Sequence, residues 1–155
     1  ALSQPGRYTV RYSFKDPKSG NITKDAVLNI VDVTAKLVTP DINVQSDVSG
    51  RLPAGFSFVN GVSGTNSLSE NATLTQYEVI KRNIATGEEI TMSPEQALAN
   101  VYDVKNYTYS VVYYFDVPKD GTVKQTAVMT VIVKETETEK ETQKETTEET
   151  VINNK

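Results

Sequence analysis

The chain repeats a stretch of its own sequence. Residues 8–28, YTVRYSFKDPKSGNITKDAVL, align without a gap onto residues 109–129, YSVVYYFDVPKDGTVKQTAVM, at a constant offset of 101. Identities fall at Tyr8/Tyr109, Val10/Val111, Tyr12/Tyr113, Phe14/Phe115, Pro17/Pro118, Lys18/Lys119, Gly20/Gly121, Ala26/Ala127 and Val27/Val128. Inside each copy, apolar residues alternate with polar ones at Tyr8, Val10, Tyr12 and Phe14. That is the period-2 signature of a strand with one face on a core, so Tyr8, Tyr12, Tyr109 and Tyr113 are expected to point inward. A Pro that fixes φ and a Gly that tolerates positive φ then form a turn into a second apolar strand, over 24–33 in the first copy and 125–133 in the second. Each copy reads as a β-hairpin. A spacing of about 100 residues is the size of one sandwich module.

Composition narrows the chemistry. The 155 residues include no Cys, His or Trp, which removes the thiolate nucleophile, the imidazole base and the commonest transition-metal ligands. A disulfide framework is excluded with them, and no catalytic constellation emerges, so the chain is expected not to be an enzyme. Val, Thr, Tyr and Ile suit pleated, half-buried surfaces, and the expected class is all-β. The net charge is −4, of which residues 134–155 hold −3 through four Lys and seven Glu. No basic footprint for nucleic acid exists. No stretch reaches the roughly 18 apolar residues of a membrane span, so no membrane insertion is expected within the chain. The N-terminal Ala1-Leu2-Ser3-Gln4 lacks a signal-peptide pattern, so any export signal or anchor is expected to lie elsewhere.

Between the hairpins the pattern predicts an entry strand over 36–44 and a Gly-, Ser- and Asn-rich connection over 46–69. A strand over 72–84 follows, then a turn at Ala85-Thr86-Gly87 and a short strand over 88–92. Ser93-Pro94-Glu95-Gln96 is a capping box with Pro at the first helical position, opening a brief helix through Asn100. The expected organisation is the closing hairpin of a preceding module (1–33), a complete module (34–134) and a spacer tail (135–155). The tail, KETETEKETQKETTEET over 134–150, has no apolar residue to offset ordering entropy, and Glu/Glu pairs at i,i+4 oppose a helix.

Gly6-Arg7-Tyr8-Thr9-Val10-Arg11-Tyr12, followed by Asp16, Gly20-Asn21 and an apolar strand, resembles the end of the bacterial immunoglobulin-like surface repeats. Leu74-Thr75-Gln76-Tyr77-Glu78-Val79 and Ser93-Pro94 resemble the middle of such a module. The second copy departs from the pattern, with Tyr107 at the place of Gly6 and Thr122 at the place of Asn21. The resemblance implies an immunoglobulin-like antiparallel β-sandwich with one short helix, located extracellularly on a bacterial cell surface or cell wall. It also implies a structural or adhesive role and tandem neighbouring modules as partners.

Three functional readings follow. A structural module spaces or presents a distal binding region and needs no site. A ligand-binding adhesin uses the 46–69 connection, with Leu52, Phe56, Phe58 and Val59 as its recognition surface for a host or surface ligand. A self-assembling fibre subunit completes its sheet with a strand from another subunit. Val112 and Tyr114 lie on the face opposite the expected core and are candidates for a contact patch. No cofactor is expected. Calcium is the best-grounded metal alternative, with Asp32, Asp41 and Asp103 as candidate oxygen ligands, although no Asp-x-Asp-x-Asp-Gly loop exists. Asp41, Asp47, Glu70, Glu78, Glu88 and Glu89 read as solvated charges in loops or on wet strand faces. No spacing singles out a Lys–Asn pair for an intramolecular isopeptide bond.

Overall fold

In a computed structural model, residues 4–136 are described, and the chain divides into two compact units, Ala1–Thr34 and Ala35–Lys155. The tail beyond residue 136 lies outside the described residues. The first unit is a hairpin of β1 (Gly6–Asp16) and β2 (Gly20–Ile30), antiparallel from Gly6↔Ile30 to Asp16↔Gly20. Its turn is held by Asp16 Oδ1, which accepts from the backbone N–H groups of Lys18 (2.7 Å) and Ser19 (2.9 Å), with Gly20 at φ +77°.

The second unit contains β3 (Ala35–Val38), β4 (Ile42–Ser46), β5 (Ser63–Asn66), β6 (Thr73–Asn83), β7 (Glu89–Met92), α1 (Pro94–Ala99), β8 (Tyr107–Val117) and β9 (Gly121–Val133). A two-stranded sheet pairs β3 with β5, and a five-stranded sheet runs β4-β9-β8-β6-β7. All-β is therefore the class, with α1 the one helix among the described residues, opened by the expected capping box.

Three expectations are corrected. The entry strand is two strands, because Pro40 lacks an N–H and breaks the ladder between β3 and β4. Asp41 Oδ1 accepts from Val128 N–H (2.9 Å) and steers the chain onto the edge of β9. The large sheet is mixed, not wholly antiparallel, since β4 pairs with β9 in parallel from Ile42↔Met129 to Ser46↔Val133. The 46–69 connection contains a strand, β5, that a Ser-Gly-Thr-Asn sequence conceals. Gly64 in that strand passes so close to the core that an added Cβ would meet Leu37 Cδ2 at 2.7 Å and Phe115 Cδ1 at 3.4 Å.

The core sits on the inner face of β8 and β9, where Tyr109, Val111, Tyr113, Phe115, Val117, Ala127, Met129 and Val131 are all buried. A bulge at Thr75, whose Oγ1 donates to the Tyr114 carbonyl (3.0 Å), slips the register so that Leu74 faces the core with Tyr77 and Val79. Strict alternation along β6 would have sent Leu74 outward.

The two hairpins share one register. Tyr8↔Leu28, Val10↔Ala26, Tyr12↔Lys24, Phe14↔Ile22 and Asp16↔Gly20 correspond, at the offset of 101, to Tyr109↔Met129, Val111↔Ala127, Tyr113↔Gln125, Phe115↔Val123 and Val117↔Gly121. Their burial differs. Tyr113 and Phe115 are fully buried, whereas Tyr12 and Phe14 are 50% and 57% exposed. The inward expectation for Tyr8 and Tyr12 is thus not met, since a lone two-stranded sheet has no second layer to form a core; Tyr8 is half-buried.

Candidate functional site

The 46–69 connection starts with a turn that closes on itself. Asp47 Oδ1 accepts from Ser49 N (2.9 Å), Ser49 Oγ (2.7 Å) and Arg51 N (3.0 Å), and these bonds hold the Asp47 carboxyl below its ordinary range. Gly50 is buried at φ +88°, and its carbonyl accepts from Tyr102 N–H (2.8 Å). A Cβ at Gly50 would lie 2.6 Å from the Tyr102 carbonyl oxygen, so this position requires glycine for both its conformation and its close approach. Arg51 Nη1 donates to the Ala99 carbonyl (3.2 Å), tying the turn to the end of α1.

Leu52 and Phe56 are half-buried against the core, and Phe58 is 2% exposed. Phe56 meets Phe58 edge-on at 5.0 Å, Phe58 lies 5.5 Å from Tyr77, and Tyr77 lies 6.2 Å from Tyr113. The Tyr113 hydroxyl donates to the Phe58 carbonyl at 2.5 Å. Of the four residues expected to form a recognition surface, three therefore pack inward, and Val59 alone is exposed, at 40%. The physical reason is coverage: the small sheet has two strands and the large one five, so the connection supplies the missing apolar layer.

Past β5 the chain is fastened by Asn66, a buried amide with each of its polar atoms used twice. Its Nδ2 donates to Glu70 Oε1 (3.1 Å) and to the Pro118 carbonyl (3.0 Å), while its Oδ1 accepts from Leu68 N and Glu70 N (both 3.0 Å). Lys119 Nζ donates to the same Glu70 oxygen, and Lys119 and then Asn66 hold the Glu70 carboxyl below its ordinary value. A lysine, a carboxylate and an asparagine thus meet, which the sequence spacing did not show. The Lys119 and Glu70 side chains are 56% and 40% exposed, and the Asn66 amide is fully committed, so the trio acts as a staple between the 66–70 loop and the β8–β9 turn.

Val112 and Tyr114 lie on the outer face of the large sheet, both half-buried. Val112 sits between Glu78 and Thr126, and Tyr114 between Gln76 and Lys124. The Tyr114 hydroxyl donates to Glu78 Oε1 (2.6 Å), and this bond raises its pKa. The face is mixed polar and apolar around these two residues, with Glu78, Thr126, Gln76 and Lys124 as their cross-strand neighbours.

Two of the calcium candidates, Asp41 and Asp103, accept hydrogen bonds. Asp41 binds Val128 N–H, and Asp103 accepts from Lys105 N, Asn106 N and Asn106 Nδ2. Asp32 lies in the first unit, after β2. Among the described residues no three carboxylates gather as a metal-holding group, and no helix is long and apolar enough to cross a membrane. Tyr77, Asn66 and Gly50 were not singled out in the sequence; the only signal for Asn66 was an Asx-type turn context before Ser67-Leu68-Ser69. Comparison with protein-family profiles, curated proteins and solved structures finds no match for this chain.

Proposed function

We propose that the chain is a non-catalytic structural module of a bacterial cell-surface protein, built from immunoglobulin-like repeats that space or present a binding region. The observation that carries this reading is the repeat itself: two hairpins 101 residues apart with one pairing register. A chain that builds the same half-module twice is the signature of a tandem array. On this reading residues 1–33 are the closing hairpin of a module like 34–134.

Strand order supports the immunoglobulin-like assignment. The run β9-β8-β6-β7 has the order G-F-C-C′ of an immunoglobulin sheet, and β3 with β5 takes the place of A with B. Such domains also carry a tyrosine near the start of strand F bonded to upstream backbone. Tyr109 occupies that place and accepts from Asp103 N–H (3.0 Å); its counterpart Tyr8 donates to the Gln4 carbonyl (2.9 Å). The helix α1 falls between β7 and β8 in chain order, where an immunoglobulin domain has further strands of its second sheet. The inward packing of Leu52, Phe56 and Phe58 favours the structural over the ligand-binding role.

Antibodies raised against the folded chain test the location. Labelling of intact, unpermeabilised producing cells is the expected result; labelling only after permeabilisation would refute a surface role.

A further inference from the structure

We propose that Asn60 is a site of spontaneous covalent modification, at which the Gly61 nitrogen attacks the side-chain amide and converts it, through a succinimide, to aspartate and isoaspartate. The inference goes beyond the structural reading of the chain and does not rest on it, since the reaction needs only water.

Asn60-Gly61 is the one asparagine–glycine pair in the chain. Every other asparagine of the described residues is followed by Ile, Val, Ser, Ala or Tyr, whose Cβ crowds the neighbouring nitrogen, whereas glycine leaves it open. Asn60 and Gly61 are both exposed. They form the centre of a turn closed by the Val62 N–H on the Val59 carbonyl (3.1 Å), with Gly61 at φ +72°. The peptide between them takes no part in that closing bond. Among the described residues neither the Gly61 N–H nor the Asn60 amide has a hydrogen-bond partner, so nucleophile and electrophile are both uncommitted. Rotation of the central peptide toward the attack geometry is opposed by a single backbone bond in an exposed turn. Asn66 is the opposite case, a buried amide whose Nδ2 and Oδ1 are each used twice.

The chemistry balances with solvent alone. Hydroxide removes the Gly61 N–H proton, the nitrogen bonds to Asn60 Cγ, and the Cγ–Nδ2 bond breaks with release of ammonia. Water then opens the five-membered ring. Opening at Cγ leaves aspartate; opening at the Asn60 main-chain carbonyl leaves isoaspartate, whose backbone runs through Cβ and is one atom longer. Both products carry a new negative charge at neutral pH. The longer backbone falls where it matters: Phe58, two residues upstream, is buried in the core with its carbonyl accepting from the Tyr113 hydroxyl, and Val62 leads directly into β5. Isoaspartate therefore opens the turn between a core anchor and a strand, while aspartate changes charge alone.

The test is to incubate the folded full-length protein for weeks and map its peptides by mass spectrometry. The expected result is a gain of about 1 Da in the peptide that contains Asn60, ahead of every other asparagine peptide. That gain should resolve into two chromatographic products and accelerate roughly tenfold per pH unit, as removal of the amide proton by hydroxide requires. Asn60→Gln should abolish it. The isolated isoaspartate form should unfold at a lower urea concentration than Asn60→Asp, which carries the charge on an unaltered backbone. An Asn60 that stays intact in the folded protein while the same chain in urea converts would overturn the proposal, as would earlier conversion of another asparagine. Failure of surface labelling would remove the surface reading and leave a measured conversion intact.

Discussion

Replacing Tyr113 with Phe tests whether the 46–69 connection is part of the core. The Tyr113 ring is fully buried and its hydroxyl donates to the Phe58 carbonyl, itself on a residue 2% exposed. Phe keeps the ring and every apolar contact, so no cavity larger than one oxygen is created. The Phe58 carbonyl loses this partner in a place where water does not replace it, a loss of about 1–3 kcal/mol. For a unit of this size that corresponds to a fall in Tm on the order of 3–5 °C per kcal/mol. Urea unfolding at neutral pH, followed by tyrosine fluorescence, reads the change as a lower midpoint at unchanged m. Tyr114→Phe is the matched control, since its hydroxyl meets Glu78 on the outer face, where water can replace the lost bond, and its loss should be the smaller of the two. A Tyr113→Phe protein within about 0.5 kcal/mol of the parent, or one less affected than Tyr114→Phe, would refute the argument that the connection is held as core.

Gly50→Ala forces a left-handed residue and a contact with the Tyr102 carbonyl, and should destabilise the second unit by about 2–4 kcal/mol in the same unfolding assay. At alkaline pH, burial and the neighbouring Tyr77 push the Tyr113 hydroxyl up to about 12, against an ordinary 10.0. Its folded value is raised, so its contribution is complete below pH 10 and is lost as pH rises from 10 through 12; phenolate absorbance should show a late group of tyrosines that ionise together with unfolding. At the acid end Asp47, Glu70 and Asp103 all have lowered folded values, so their contribution is present above the ordinary values of 3.8 and 4.5 and is lost as pH falls below them. Asp47→Asn should flatten that acid slope in urea titrations between about pH 5 and 2. Hydrogen exchange should separate the two hairpins: amides of β8–β9 are expected to be protected far longer than those of β1–β2, because only the former carry a covered apolar face. Equal protection at matching positions would contradict that account.

The hairpins were legible because their information is local. Alternation at Tyr109, Val111, Tyr113 and Phe115, a turn with Pro118 and Gly121, and nine identities at one offset need no distant partner to be read. The capping box at Ser93 and Gln96 is local for the same reason. The split of the entry strand was less so, since Pro40 announces a break but not that β3 and β4 join different sheets. Parallel pairing of β4 with β9 joins residues almost 90 apart and has no sequence signature. The bulge at Thr75 exists only because β8 lies alongside.

The candidate site shows the same division. Phe56 and Phe58 in a Gly- and Ser-rich stretch read equally well as exposed anchors or as a core layer, because composition carries no record of which face lacks cover. The two-strand against five-strand inequality of the sheets decides it, and Tyr113 fixes the result with a single hydrogen bond. The sequence by itself determined the all-β class, the repeat and its register, since strand period and turn chemistry are set by neighbours along the chain. The mixed sheet and the inward role of the connection came from the tertiary structure, since both depend on which distant strands come to lie side by side.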